Sequence, residues 1–125
     1  MIEANCVRKS IGAENSFAQD LSDKATILQE LEEIARTLHR RLEKHQAAGR
    51  TLTLKVKFSD YHQITRSRTF TSSINNLNVI ITVSSALFET IELEDKSIRL
   101  LGISLSNLDN EELKIVQLSL FSFTN

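Results

Sequence analysis

The chain has 125 residues, 41% hydrophobic residues and a formal net charge of −1, values typical of one soluble globular domain with its own core. No apolar run approaches the roughly 18 residues of a membrane span, and the first residues lack the apolar region of a signal peptide. Cys6 is the single cysteine and has no disulfide partner in the chain. We therefore expect a cytoplasmic setting.

The first predicted elements are a strand over residues 7–17 and a long helix. Gly12 lies inside the strand, where it weakens the extended run but lets another backbone approach closely. Ser22 or Asp23 is a suitable N-cap for the helix, and Gly49 is expected to end it in the position after the C-cap. A single apolar stripe at three- and four-residue steps predicts the buried side of this helix. The stripe comprises Ile27, Leu31, Ile34, Leu38 and Leu42.

The next segment predicts a β-hairpin. Residues 51–58 alternate strictly, with Leu52, Leu54, Val56 and Phe58 on one side and Thr53, Lys55 and Lys57 on the other. A polar bend over residues 59–62 leads to a second strand over residues 63–70, which favours antiparallel pairing. Arg66 and Arg68 have the same parity in this strand, so both are expected on one side of the sheet.

Residues 71–91 carry conflicting signals. The run over residues 78–83 is β-branched and favours a strand, whereas apolar residues from Leu77 to Ile91 keep helical spacing. We predict a helix over residues 74–91, capped by Ser72 or Ser73, because burial of a continuous stripe overrides propensity.

A last strand is predicted over residues 98–105, with Leu101, Ile103 and Leu105 on one face. A polar linker follows over residues 107–114, and then a short apolar tail. The order β-α-β-β-α-β predicts an α+β fold in which two helices cover one face of a four-stranded sheet. We expect a folded domain over residues 1–106 and a linker with tail over residues 107–125.

No motif for catalysis is present in the sequence. It contains no glycine-rich phosphate loop, no Cys-x-x-Cys pair and no His-Glu-x-x-His motif. His39, His45 and His62 are too far apart to indicate a metal site. Between Arg50 and Arg68, however, basic residues outnumber acids. This basic segment indicates either a polyanionic partner or ordinary solvated charge.

Several stretches together resemble a known family. They are Arg-Lys-Ser-Ile-Gly-Ala-Glu-Asn-Ser-Phe over residues 8–17, the run over residues 51–61 followed by Thr-Arg-Ser-Arg-Thr over residues 65–69, the run over residues 98–106, and Gln-Leu-Ser-Leu-Phe over residues 117–121. In this order they resemble the C-terminal little-finger domain of Y-family translesion DNA polymerases, of the bacterial DNA polymerase IV (ImpB/MucB/SamB) type. The resemblance extends from about residue 7 to residue 121.

The resemblance implies a module that holds primer–template DNA by its backbone while other domains supply catalysis. It implies no catalytic residue and no cofactor in this domain; the palm of the parent polymerase would use Mg²⁺. Because no palm precedes Met1, the chain is expected to be a fragment that does not polymerise alone. Leu100 and Ser104 stand where some relatives have basic residues. The implied DNA contacts are Lys9, Ser10, Gly12, Thr65, Arg66, Ser67, Arg68 and Arg99, joined by Lys55 and Lys57 if these lie on the same face.

The tail resembles the pentapeptide with which bacterial proteins bind the sliding clamp. The implied contacts are a hydrogen-bonded Gln117, then Ser119, with Leu118, Leu120 and Phe121 as apolar anchors in a groove. A tail packed on the domain itself remains the structural alternative. The functional alternative is a clamp-interaction module that does not touch DNA.

Overall fold

Six elements follow one another in the computed structural model, which describes residues 10–108. The strands pair antiparallel in the order β1-β4-β2-β3. The predicted α+β fold and its element order are confirmed, whereas residues 1–9 and the tail after Leu108 lie outside the described part. The elements are β1 (Ser10–Leu21), α1 (Lys24–Lys44), β2 (Gly49–Phe58), β3 (Gln63–Ile74), α2 (Leu77–Glu89) and β4 (Ile98–Leu108).

The core lies between the sheet and the two helices. Leu52, Leu54 and Val56 of the central strand β2 are 0% exposed, which confirms the predicted alternation. The apolar side of β4, with Leu101, Ile103 and Leu105, is also buried. Each such side chain stabilises the fold by about 1.5–3 kcal/mol relative to exposure. Helix α1 packs on β1 and β4, and α2 packs on β2 and β3, so both helices cover the same face.

Helix α1 buries the whole predicted stripe. Asp23 is its N-cap and accepts a hydrogen bond from the Thr26 N–H at 3.1 Å. The predicted end at Gly49 is wrong, because α1 ends at Lys44 and Gln46 adopts the left-handed conformation (φ 50°). Gly49 instead opens β2, where a Cβ would lie 2.7 Å from the Ser106 carbonyl oxygen. Close strand packing therefore requires this glycine.

Helix α2 confirms that tertiary burial overrides strand propensity in this segment. Ile80 is fully buried, and Val83 and Phe88 are nearly so. The predicted start of the helix is wrong, however, because β3 continues to Ile74. The N-cap is Asn76, whose side chain accepts from the Val79 N–H at 3.2 Å, and not Ser72 or Ser73.

The two remaining strands are longer than predicted. β1 reaches Leu21, which pairs with Ile98 after a register shift, and β4 reaches Leu108, which pairs with Gly49. Only Ser22 and Asp23 therefore separate β1 from α1, and the sheet extends past the predicted start of the linker. No helix within residues 10–108 is long and apolar enough to cross a membrane.

Candidate nucleic-acid interface

Among residues 10–108, no element covers the face of the sheet opposite the helices, and strand register determines which side chains this open face carries. Direct partners across an antiparallel sheet point to the same side, so each set of partners forms a row in the order β1, β4, β2, β3. Hydroxyl side chains dominate these rows, and Leu100 is the one large apolar residue among them. The open face comprises Ser10, Ser106, Thr51 and Thr69; Gly12, Ser104, Thr53 and Ser67; Glu14, Gly102, Lys55 and Thr65; and Ser16, Leu100, Lys57 and Gln63.

Two glycines make a shallow depression near the middle of the open face. A Cβ on Gly12 would lie 3.2 Å from the Ile103 carbonyl oxygen, which confirms the predicted close approach of another backbone. Gly102 lies in the next row, on β4, where it pairs with Glu14. Hydroxyl groups of Thr53, Thr65 and Ser104 line the depression together with Lys55 and Glu14. Hydroxyls and an ammonium group are the side chains that commonly contact phosphate oxygens.

Lys55 does not project freely from the open face. Its Nζ lies 2.7 Å from the Glu14 Oε1, in an ion pair that joins β2 to β1 across β4. The Lys55 side chain is 35% exposed and that of Glu14 is 53% exposed. Lys55 is one of the predicted DNA contacts, whereas Glu14 is not. No sequence signal could have found this pair, because it depends on the registers of two strand pairs.

One end of the open face carries a cluster of cations around an aromatic ring. Tyr61 lies in the β2–β3 turn with a φ of 69° and is 64% exposed. The Lys57 Nζ lies 5.7 Å from the ring centroid, and the Arg99 guanidinium carbon lies 5.0 Å from it. Arg99 also donates to the Tyr61 hydroxyl at 3.0 Å. Its Nε is 3.5 Å from the Asp20 Oδ1, so Arg99 is held in place and partly neutralised.

The four predicted contacts in β3 divide between the two faces of the sheet. Thr65 pairs with Lys55 and therefore belongs to the open face, as does Ser67. Arg66 pairs with Leu54, and Arg68 pairs with Leu52. Both leucines are buried beneath the helices. The two arginines do share one side, as predicted. The condition that Lys55 and Lys57 lie on the same face as these arginines is not met, because alternation places the cross-strand partners of a buried leucine on the helix side.

Arg66 and Arg68 remain accessible because β3 is an edge strand. Both residues are exposed. Arg66 donates to the Thr65 carbonyl oxygen at 3.0 Å, and the Arg68 guanidinium lies 5.1 Å from the Phe70 ring centroid. Within residues 10–108, neither arginine forms an ion pair. They form a cationic edge beside the open face.

The other predicted site residues are placed as follows. Ser10 and Gly12 lie on the open face in β1, whereas Lys9 and the pentapeptide over residues 117–121 lie outside the described residues. Within the described chain, no three His, Cys, Asp or Glu side chains lie close enough together to hold a metal ion. The open face also includes four hydroxyl residues that were not predicted as contacts: Ser16, Thr51, Thr69 and Ser106. Alternation identifies them only once the pairing of the strands is known.

Comparison with known proteins identifies the domain family. Residues 8–120 match the model of the impB/mucB/samB family C-terminal domain. DNA polymerase IV 2 of Agrobacterium fabrum is 40% identical over 106 residues, which are 85% of this chain and 30% of that protein. The chain thus spans less than a third of the length of this relative.

Solved structures share the same fold. The little finger domain of PolIV, in a complex with the β-clamp processivity factor, has a TM-score of 0.67 at 22% identity, over 82% of this chain and 91% of that chain. A Y-family DNA polymerase chimera has a TM-score of 0.72 at 19% identity, over 84% of this chain and 30% of that chain. Since the family model covers nearly the whole sequence, this chain belongs to the impB/mucB/samB C-terminal domain family, as the resemblance predicted.

Proposed function

We propose that the chain is the DNA-holding little finger of a DNA polymerase IV-like translesion polymerase. It binds the backbone of primer–template DNA through the open face, in DNA damage bypass and repair. The observation that supports this proposal most strongly is the composition of that face. Hydroxyls, glycines and lysines make up most of a side of the sheet that neither α1 nor α2 covers within residues 10–108.

The chemistry of the open face suits phosphates better than base edges. Serine and threonine hydroxyls and lysine ammonium groups bind phosphate oxygens, and such contacts fix the position of a duplex without reading its sequence. A polymerase that copies damaged templates requires this indifference to base identity. The face is also poor in apolar side chains, which argues against its use as the dry core of a protein–protein interface.

The cationic edge of Arg66 and Arg68 extends the proposed surface. A duplex that rests on the open face presents one phosphate strand near β3. Long arginine side chains on the helix side of this edge strand can reach a backbone that curves around it. Thr65 and Ser67 would then contact the DNA from the face, and the two arginines from the edge.

We also propose that Gln117 to Phe121 tether the domain to the bacterial sliding clamp. A PolIV little finger has been solved in a complex with the β-clamp processivity factor. In the proposed mode, a short extended peptide places its glutamine in a hydrogen-bonding pocket and its apolar side chains in a groove. Leu120 and Phe121 are the expected anchors.

Catalysis, in this proposal, belongs to other domains of a longer polymerase. Those domains would use Mg²⁺ to transfer nucleotides onto the primer. Among the open-face residues that the structure describes, Glu14 is the single acid. The role of the present domain is to hold DNA against the polymerase and to keep the polymerase on its clamp.

Salt-dependent DNA binding tests the proposal directly. We expect the chain to bind fluorescein-labelled primer–template duplexes of unrelated sequence with equal affinity. We also expect the logarithm of the affinity to fall linearly with the logarithm of salt concentration. Fluorescence anisotropy measures both properties. Absence of binding at low salt, with clamp binding retained, would contradict the DNA-holding role and support the clamp-interaction module instead.

A further inference from the structure

We infer that Glu14 competes with DNA phosphate for Lys55 and thereby weakens the hold of the open face on DNA. This inference rests on the proposed DNA-binding function. It concerns Glu14, which is not among the DNA contacts that the resemblance implies. In the DNA-free domain, Lys55 already has an anionic partner at 2.7 Å. A phosphate that approaches Lys55 must therefore displace the Glu14 carboxylate.

The ion pair depends on a glycine in the strand between its partners. Glu14 of β1 and Lys55 of β2 both pair with Gly102 of β4, from opposite sides. A Cβ on Gly102 would lie 3.2 Å from the Glu14 Cβ and 3.4 Å from the Lys55 Cε. Because Gly102 has no side chain, the lysine can lie across the middle strand and reach the carboxylate.

Fold stability gives little reason for an acid at this position. Both partners are substantially exposed, and exposed ion pairs contribute little to the free energy of unfolding. The other open-face positions are hydroxyl, glycine, lysine, glutamine or leucine residues. Glu14 thus places a negative charge on a surface that is otherwise suited to phosphate. Its main effect is expected on the partner that approaches this surface.

The pair should reduce the salt dependence of DNA binding. A lysine that neutralises one phosphate of B-DNA releases counterions and steepens the slope of log K against log salt by about 0.9. When Lys55 stays beside Glu14, the two charges sum to zero and this release is largely lost. Removal of the carboxylate charge should restore it. The affinity gain of a Glu14→Gln variant should then shrink about 3.5-fold between about 50 and about 200 mM salt.

Glu89→Gln is a matched control for Glu14→Gln. Glu89 pairs with Lys24 at 2.7 Å, both side chains are about half exposed, and the pair joins α2 to α1 behind the sheet. Both substitutions remove one negative charge and one exposed ion pair. Anisotropy of a labelled primer–template duplex is measured for the intact chain and both variants across this salt range. We expect Glu14→Gln to bind DNA several-fold more tightly than the wild type at low salt and to show a steeper slope of log K against log salt. Glu89→Gln should bind like the wild type.

A double-mutant cycle with Lys55→Gln identifies the partner. Lys55→Gln should flatten the slope of log K against log salt by about 0.9 in the Glu14→Gln background, where Lys55 is free to contact a phosphate. In the wild-type background it should weaken binding only through the unpaired Glu14 carboxylate, without this loss of slope. Equal effects of Glu14→Gln and Glu89→Gln would overturn the inference while leaving the DNA-holding role intact. So would an equal change of this slope from Lys55→Gln in both backgrounds. If neither the wild type nor Glu14→Gln binds DNA at low salt, both the inference and the proposed function fail.

Discussion

Strand β3 offers a way to determine which side of the sheet contacts DNA, because its polar residues alternate between the two faces. Thr65 and Ser67 lie on the open face, whereas Arg66 and Arg68 lie on the helix side. The test compares a Thr65→Asp, Ser67→Asp double variant with an Arg66→Gln, Arg68→Gln double variant. Each changes the net charge by the same amount and alters exposed residues of the same strand.

The two variants should differ in magnitude and in salt dependence. A carboxylate about 4 Å from a phosphate costs about 1 kcal/mol in water, so two of them on the open face should weaken binding by roughly 30-fold at low salt. The arginine variant removes at most two phosphate contacts. It should therefore flatten the slope of log K against log salt by up to about 1.8.

Fluorescence anisotropy with a primer–template duplex measures both effects, and circular dichroism verifies that the variants fold. An Arg36→Gln, Arg40→Gln double variant is the control, because it removes the same charge from exposed positions of α1. We expect this control to bind like the wild type. If the open-face aspartates had no more effect than the control while the arginine variant lost binding, DNA would contact the cationic edge and not the open face.

Three further predictions concern folding and the clamp. Gly49→Ala should lower the free energy of unfolding by about 1–3 kcal/mol through overpacking against β4, measured by urea denaturation; unchanged stability would contradict the required close packing. Asp23→Ala should cost about 0.5–2 kcal/mol through loss of the α1 N-cap, whereas Ser22→Ala, the neighbouring control, should cost little. A Leu120→Ala, Phe121→Ala double variant should lose capture of the sliding clamp in a pull-down but retain DNA binding; unaltered capture would refute the tail assignment.

Local periodicity determined most of the fold. The apolar stripe of α1 repeats over several helical turns, and apolar and polar residues alternate over residues 51–58 of β2. Such repeats are visible in the sequence because the residues that point to the buried side of these elements are apolar. The order of elements followed from these repeats. The ends of elements were less predictable, since Gly49 looks like a helix terminator in sequence but serves the packing of β2 on β4.

The candidate site depended on tertiary structure to a much greater degree. The sequence alone showed that Arg66 and Arg68 share one side and that Lys55 and Lys57 share one side. Only the register of β2 with β3 revealed that these sides are opposite. Likewise, Glu14 and Lys55 are 41 residues apart and meet only because β4 inserts between their strands with Gly102 at the crossing. Hydrogen bonds between distant strands determine which side chains share a face and which come into contact. A local sequence pattern carries no information about this strand pairing.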